Sequence, residues 1–254
     1  MRTGLIALFL CALTLGAQTL PRLPDGKPNL TGVWQSLSSA YWDIEDHSAQ
    51  PGAFFQLGAT GAIPAGLGIV EGGAIPYRPE ALPQKQKNRA NRMKDDPEAK
   101  CYMPGVPRAT YLPFPFQIIQ GTDNILIAYE FATANRTILM KKHEDAPYDL
   151  WMGWSNGRWE GDTLVVDVTG LNGKSWLDRA GNYASNNVHV VERYALTDAN
   201  HIQYEATIED PTVFTHPWKI SLPLYRRMEK NAQLLEFKCV EFAEELLYGD
   251  LRKK

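Results

Sequence analysis

The sequence predicts an all-β fold: a mainly antiparallel barrel or strongly curved sheet of about eight to ten strands, wrapped by a long N-terminal loop and one or two helices. Three observations point there. Between residues 110 and 241, short runs rich in Val, Ile, Thr, Tyr and Phe succeed one another, punctuated by Gly, Asn and Asp; the former suit pleated surfaces and the latter tight turns. Most intervening segments are too short for a helical crossover, so neighbouring strands are expected to pair antiparallel. Seventeen prolines and twenty glycines supply many turns, which argues against a simple helix bundle.

Arg2 precedes an apolar run over residues 5–15, and Leu15-Gly16-Ala17 places small residues before Gln18. Residues 1–17 are therefore expected to be a secretory signal peptide, its run too short for a transmembrane helix. Cys11 lies inside that run, after Leu8-Phe9-Leu10 rather than the small residues of a lipoprotein signal, and is expected to be removed with it. Residues 18–254 form one β-rich domain with a loop-and-helix excursion at about 48–100. No second apolar stretch is long enough to span a bilayer, so the mature chain is expected in the periplasm or secreted.

Residues 21–28 read as an extended leader and 29–34 as a first short strand. Residues 48–76 are glycine-rich with Glu71 as their only charge, which suggests an ordered apolar loop packed on the body. Within it, Gly66-Leu67-Gly68-Ile69-Val70-Glu71-Gly72 has the look of a dinucleotide-binding turn. Pro64 and Pro76 flank it, however, and no helical pattern follows at once, so a plain loop is the better reading. Residues 78–100 are the main helix candidate, with Lys85, Lys87, Arg89, Arg92 and Lys94 on a solvated face. Residues 116–120 and 125–130 flank Gly121-Thr122-Asp123-Asn124 as a hairpin. Further strands are read at 136–141, 151–159 (with Asn156-Gly157 as a turn pair), 163–168, 188–196, 201–208, 218–225 and 234–239. Residues 242–248 suggest a short closing helix.

A composition of 44% hydrophobic and 11% aromatic residues fits a folded globule, and a formal net charge of −3 excludes a broadly basic nucleic-acid binder. Cys101 and Cys239 remain after the signal peptide and are expected to form a disulfide, closing a loop of about 140 residues. His47, His143, His189, His201 and His216 fall into no familiar spaced metal motif, and neither metal nor other cofactor is expected. There is no G-x-S-x-G nucleophile elbow.

Gly32-Val33-Trp34, followed by a long meander, resembles the G-x-W start of lipocalins and related calycin barrels. That likeness implies a lipocalin-like barrel whose Trp closes one end while the Gly permits close packing beneath it. The long excursion after Trp34 departs from that family. Most of the mature chain also resembles a group of exported bacterial proteins with no established activity. The matching stretches are Pro24-Asp25-Gly26-Lys27-Pro28, Cys101-Tyr102-Met103-Pro104-Gly105-Val106-Pro107-Arg108, Gly157-Arg158-Trp159-Glu160-Gly161-Asp162-Thr163-Leu164-Val165-Val166-Asp167 and His189-Val190-Val191-Glu192-Arg193-Tyr194. The resemblance implies a bacterial envelope location. Members often carry His-Ser-Asp or His-Ser-Glu before the last stretch; Ala184-Ser185-Asn186 stand there in this chain, a departure that bears on any acid/base role.

Along the strand at 188–196, His189, Val191 and Arg193 share one face, and Val190, Glu192 and Tyr194 the other. His189 and Glu192 are thus no direct pair. A catalytic site would combine His189, its neutral form favoured by Arg193, with Asp178 carried near on the loop of Trp176, and His216 as a further acid/base candidate. The blander reading is a surface charge ladder with Trp176 anchoring a loop. Trp154 and Trp159, with Trp151, could stack on a ring or simply fill a hairpin corner. The candidate ligand-binding residues are Trp154, Trp159, Trp176, Tyr129 and Arg193. The leading expectation is an exported envelope protein binding a small, largely hydrophobic or aromatic molecule in a barrel cavity. The alternatives are a periplasmic isomerase, lyase or hydrolase using such a ligand, and a structural or assembly protein of the envelope.

Overall fold

Alternation builds the wall. In the strand His189–Leu196 every second side chain is buried, and the same period continues through His201–Glu209 and Trp218–Arg226. A strand with one apolar face must turn it towards a core, and a sheet whose strands all do so can close on itself. A computed structural model describes residues 20–252; the signal peptide expected at 1–17, with Cys11, lies outside them. Nine strands close a barrel in sequence order: β1 (Gly32–Ser36), β2 (Phe116–Gln120), β3 (Asn124–Tyr129), β4 (Asn135–Leu139), β5 (Trp154–Glu160), β6 (Thr163–Thr169), β7 (His189–Leu196), β8 (His201–Glu209) and β9 (Trp218–Arg226). The ring closes where β1 pairs antiparallel with β9, Gln35 opposite Tyr225.

Every pairing is antiparallel except one: β4 and β5 run parallel and share only the pairs Ile138↔Ser155 and Leu139↔Asn156. Asn156-Gly157, expected to turn, lies inside β5; the tight turn falls instead at Gly161-Asp162, where Gly161 takes φ +59°. The interior is filled by side chains, among them Trp34, Phe116, Ile127, Tyr194, Tyr204 and Ile220, all deeply buried in one cluster. Trp34 sits against one end of that core: its indole donates to Leu30 O at 2.8 Å, and the Arg226 guanidinium lies 4.2 Å from its ring centroid. A Cβ at Gly32 would lie 2.1 Å from Arg226 Nη1, so the absence of a side chain there is what admits the guanidinium.

Outside the barrel the excursion is less regular than expected. The helix expected at 78–100 is α1 (Leu82–Ala90) and α2 (Arg92–Asp95), broken at Asn91 (φ −109°, ψ 15°); it stops early because Asp96 precedes Pro97 and is pushed to ψ 123°. A third short helix, α3 (Arg108–Tyr111), is wholly buried. The glycine-rich loop at 48–76 buries only Phe54, Val70 and Ile75 among its larger apolar side chains and leaves Leu67 95% exposed. Backbone pairing between its arms, His47 with Gly66 and Gln50 with Ile63, orders it in place of apolar packing. Residues 234–239, expected as a strand, form none, because β1 already occupies the edge of β9. They cross the outside as a strap: Phe237 packs on Phe114 and Phe131, and Cys239 is bonded to Cys101. The disulfide ties this strap to the segment entering the barrel, not to a sheet edge. The chain ends through α4 (Ala243–Tyr248).

Candidate functional site at the parallel seam

Two adjacent parallel strands need a long connection that carries the chain back to the starting end. Residues 140–153 supply it between β4 and β5, and the return is fixed by Leu150 N–H donating to Gly170 O and Asn172 N–H to Leu150 O. Gly153 makes the final bend at φ +65°, where a Cβ would lie 2.8 Å from Val168 Cγ1. Because β4 and β5 share so few pairs, the wall parts between them. The opening is a cleft of about 440 Å³ bounded by Leu139, Leu150, Trp151, Met152 and Trp154, with Met103 from the chain after the disulfide. Arg136 and Ser155, inward-facing residues of the two strands, complete its lining together with Asn135, Thr137 and Gly153.

Arg136 carries the charge of that lining. Its Nη1 and Nη2 donate to Glu192 Oε2 and Oε1 at 2.6 and 2.9 Å, a bidentate pair with both partners buried. Tyr194 and Tyr204 donate to Glu192 Oε1 at 2.9 and 2.8 Å, and Arg136 Nη2 also donates to Tyr194 Oη at 2.9 Å. Burial pushes both phenols well above their ordinary range, and Glu192 adds to it, so they stay protonated donors. Burial alone would weaken the Arg136 charge, but Glu192 outweighs it and keeps the guanidinium ionised. Two buried donors of residues that line the cleft, Arg136 Nε and Trp154 Nε1, have no hydrogen-bond partner. Unpaired buried donors cost free energy, so these atoms mark where an outside group would be welcome.

Of the residues proposed from sequence, Trp154 lines the cleft and the Tyr129 side chain is buried in the barrel core, its phenol pushed up by burial with Arg136 and Glu192 as its charged neighbours. The others stand elsewhere. His189 faces outward and meets Asp167 at 2.8 Å, and Arg193 meets Glu160 at 2.8 Å, all four side chains partly exposed. Asp178 is fully buried and accepts from Ile44 N–H, Asn182 N–H and Asn182 Nδ2. His189 and Asp178 are thus engaged with different partners, and the acid/base pair expected of them is not assembled. His216 is exposed, with Nδ1 3.0 Å from Thr215 Oγ1. Trp159 is half-buried under the Lys27 ammonium, 5.8 Å from its ring centroid. Trp176 bridges to Tyr183 beside a polar hollow of about 350 Å³ that Ala184, Ser185 and Asn186 also line.

Asp178 is nonetheless unusual: burial and the like charge of Asp43 push its carboxyl up to about 7, against three N–H donors pulling the other way. A larger hollow of about 490 Å³ lies beside Trp42, but it is polar, and its Arg92 and Arg179 are already engaged by Glu244 and Glu98. Among the described residues no group of three His, Cys, Asp or Glu side chains is placed to hold a metal ion, and no helix is long and apolar enough to cross a membrane.

Arg136 is the residue that sequence reasoning missed. It stands two places before Ile138, on the same face of β4, a pattern that marks it as inward-facing. Compared with known proteins, the chain matches no family model, and no curated protein matches it.

Proposed function

We propose that this is an exported envelope protein that binds a small, largely hydrophobic molecule, and that the molecule sits in the cleft between β4 and β5. One observation carries the reading: an apolar-walled cleft of about 440 Å³ that ends on a buried guanidinium whose two terminal nitrogens are paired with Glu192. A cleft of this size, mostly apolar with a few fixed polar groups, has the make-up of a small-molecule site. Export is supported by the Cys101–Cys239 disulfide, which suits an oxidising compartment, and by the likeness to exported bacterial proteins. The resemblance to calycin barrels agrees with a binding role, although the site proposed here lies in the wall and not in the lumen.

Titration with the apolar fluorophore N-phenyl-1-naphthylamine tests the reading. Saturable binding is expected, and Leu139→Glu, which sets a charge on the cleft wall, is expected to weaken it at least tenfold while leaving the β-sheet circular dichroism unchanged. Absence of saturable binding, or equal affinity in the variant, would overturn it. Export is tested by cell fractionation and the mass of the mature protein, which is expected to begin at Gln18.

A further inference from the structure

Resting on that reading, we infer that the ligand is uncharged and presents a hydrogen-bond acceptor, a carbonyl oxygen above all, to the Arg136 and Trp154 end of the cleft. Two features of the lining lead there. The first is charge. Arg136 is the only ionisable side chain that lines the cleft, and both its terminal nitrogens are committed to Glu192 in a buried bidentate pair. A ligand carboxylate would find no unmatched cation there and would have the Glu192 carboxylate nearby. A ligand cation would meet a guanidinium. Neither charge is compensated, and an uncompensated charge in an apolar site is costly.

The second feature is polarity of the opposite kind. Arg136 Nε and Trp154 Nε1 are both buried and without a partner, and both belong to residues that line the cleft. An indole N–H and a guanidinium N–H can only donate. A carbonyl oxygen has two lone pairs and can take two donors at once. Trp151 and Trp154 supply flat apolar surface for an aromatic or alicyclic body.

The test uses three naphthalenes of one shape, measured by titration calorimetry on the full disulfide-bonded protein at pH 8: 2-acetylnaphthalene, 2-naphthoate and 2-isopropylnaphthalene. The ketone is expected to bind about five- to tenfold more tightly than the hydrocarbon, as one or two satisfied donors should give, and at least tenfold more tightly than the carboxylate. Trp154→Phe keeps an aromatic wall and removes the N–H; it is expected to weaken the ketone several-fold more than the hydrocarbon. Tightest binding of the naphthoate, or equal binding of ketone and hydrocarbon, would overturn this inference and leave the apolar site standing. Equal losses for ketone and hydrocarbon in Trp154→Phe would remove the indole from it. Failure of all three compounds to bind would overturn the proposed function as well.

Discussion

Arg136 is tolerable inside the barrel only because Glu192 and the Tyr194 phenol meet it, with Tyr204 donating to Glu192 in turn. Removing one partner of a buried ion pair leaves the other uncompensated, typically at about 3–5 kcal/mol, while replacing both with apolar groups costs far less. Arg136→Met is therefore expected to lower the urea unfolding free energy by roughly that amount, and Arg136→Met with Glu192→Leu by clearly less than the two single losses added. Asp178 calls for a different measurement. Its folded-state carboxyl titrates at about 7, against about 3.9 in an unfolded chain. The folded protein thus holds a proton that the unfolded chain has released, and stability falls as pH rises from about 4 to about 7. Thermal melts are expected to show a higher midpoint at pH 5.5 than at pH 8, and a smaller difference in Asp43→Asn, which removes the like charge. Part of this was legible in the sequence. Strand alternation alone turns Glu192 inward with Val190 and Tyr194, and His189 outward with Arg193. The bond from Glu192 to Arg136 was not legible, because it spans a barrel whose closure no local pattern states.

At the scale of elements, hairpins were legible and the seam was not. The β2–β3 turn at residues 121–123 joins strands adjacent in sequence, so turn chemistry and alternation speak for the same pairing. The parallel meeting of β4 and β5 depends on residues 140–153, which follow no regular period. Residues 234–239 carry strand-like composition, yet strand formation also needs a free edge, and the ring leaves none. Asn156-Gly157 was misread for a related reason. A glycine in the middle of a strand can mark a close approach of neighbouring chain as well as a turn. A Cβ at Gly157 would lie 2.5 Å from both Ile138 Cγ2 and Met140 Sδ. Gly157→Ala is accordingly expected to cost about 1–3 kcal/mol through overpacking and to alter probe affinity at the cleft, both measurable on one preparation by thermal melting and fluorophore titration. An unchanged melting temperature would show that β4 is not held against β5 as described.

For the whole molecule, the Cys101–Cys239 link closes a loop with a sequence separation of 138, containing eight of the nine strands. Its main effect falls on the unfolded chain, which loses freedom in proportion to loop length, for about 4–5 kcal/mol on the chain-entropy estimate. Protein lacking residues 1–17 is expected to show no free thiol in denaturant, and Cys101→Ala with Cys239→Ala to unfold at markedly lower urea concentration. Titration of two thiols in the native protein would refute the bridge. The pairing itself followed from two cysteines in a chain whose sequence predicts export; its attachment to an outer strap followed only from the closed ring. That ring has one more consequence. A bracelet opens at its clasp, and here the clasp is two residue pairs long. Releasing it breaks no other strand pairing: the links from β5 round through β9 and β1 to β4 all survive, and a ring becomes a ribbon. Amide exchange reads such events link by link. The Leu139 amide should trade hydrogen for deuterium through this cheap local release, long before those of Tyr194 and Tyr204, which wait for the whole bracelet to come apart.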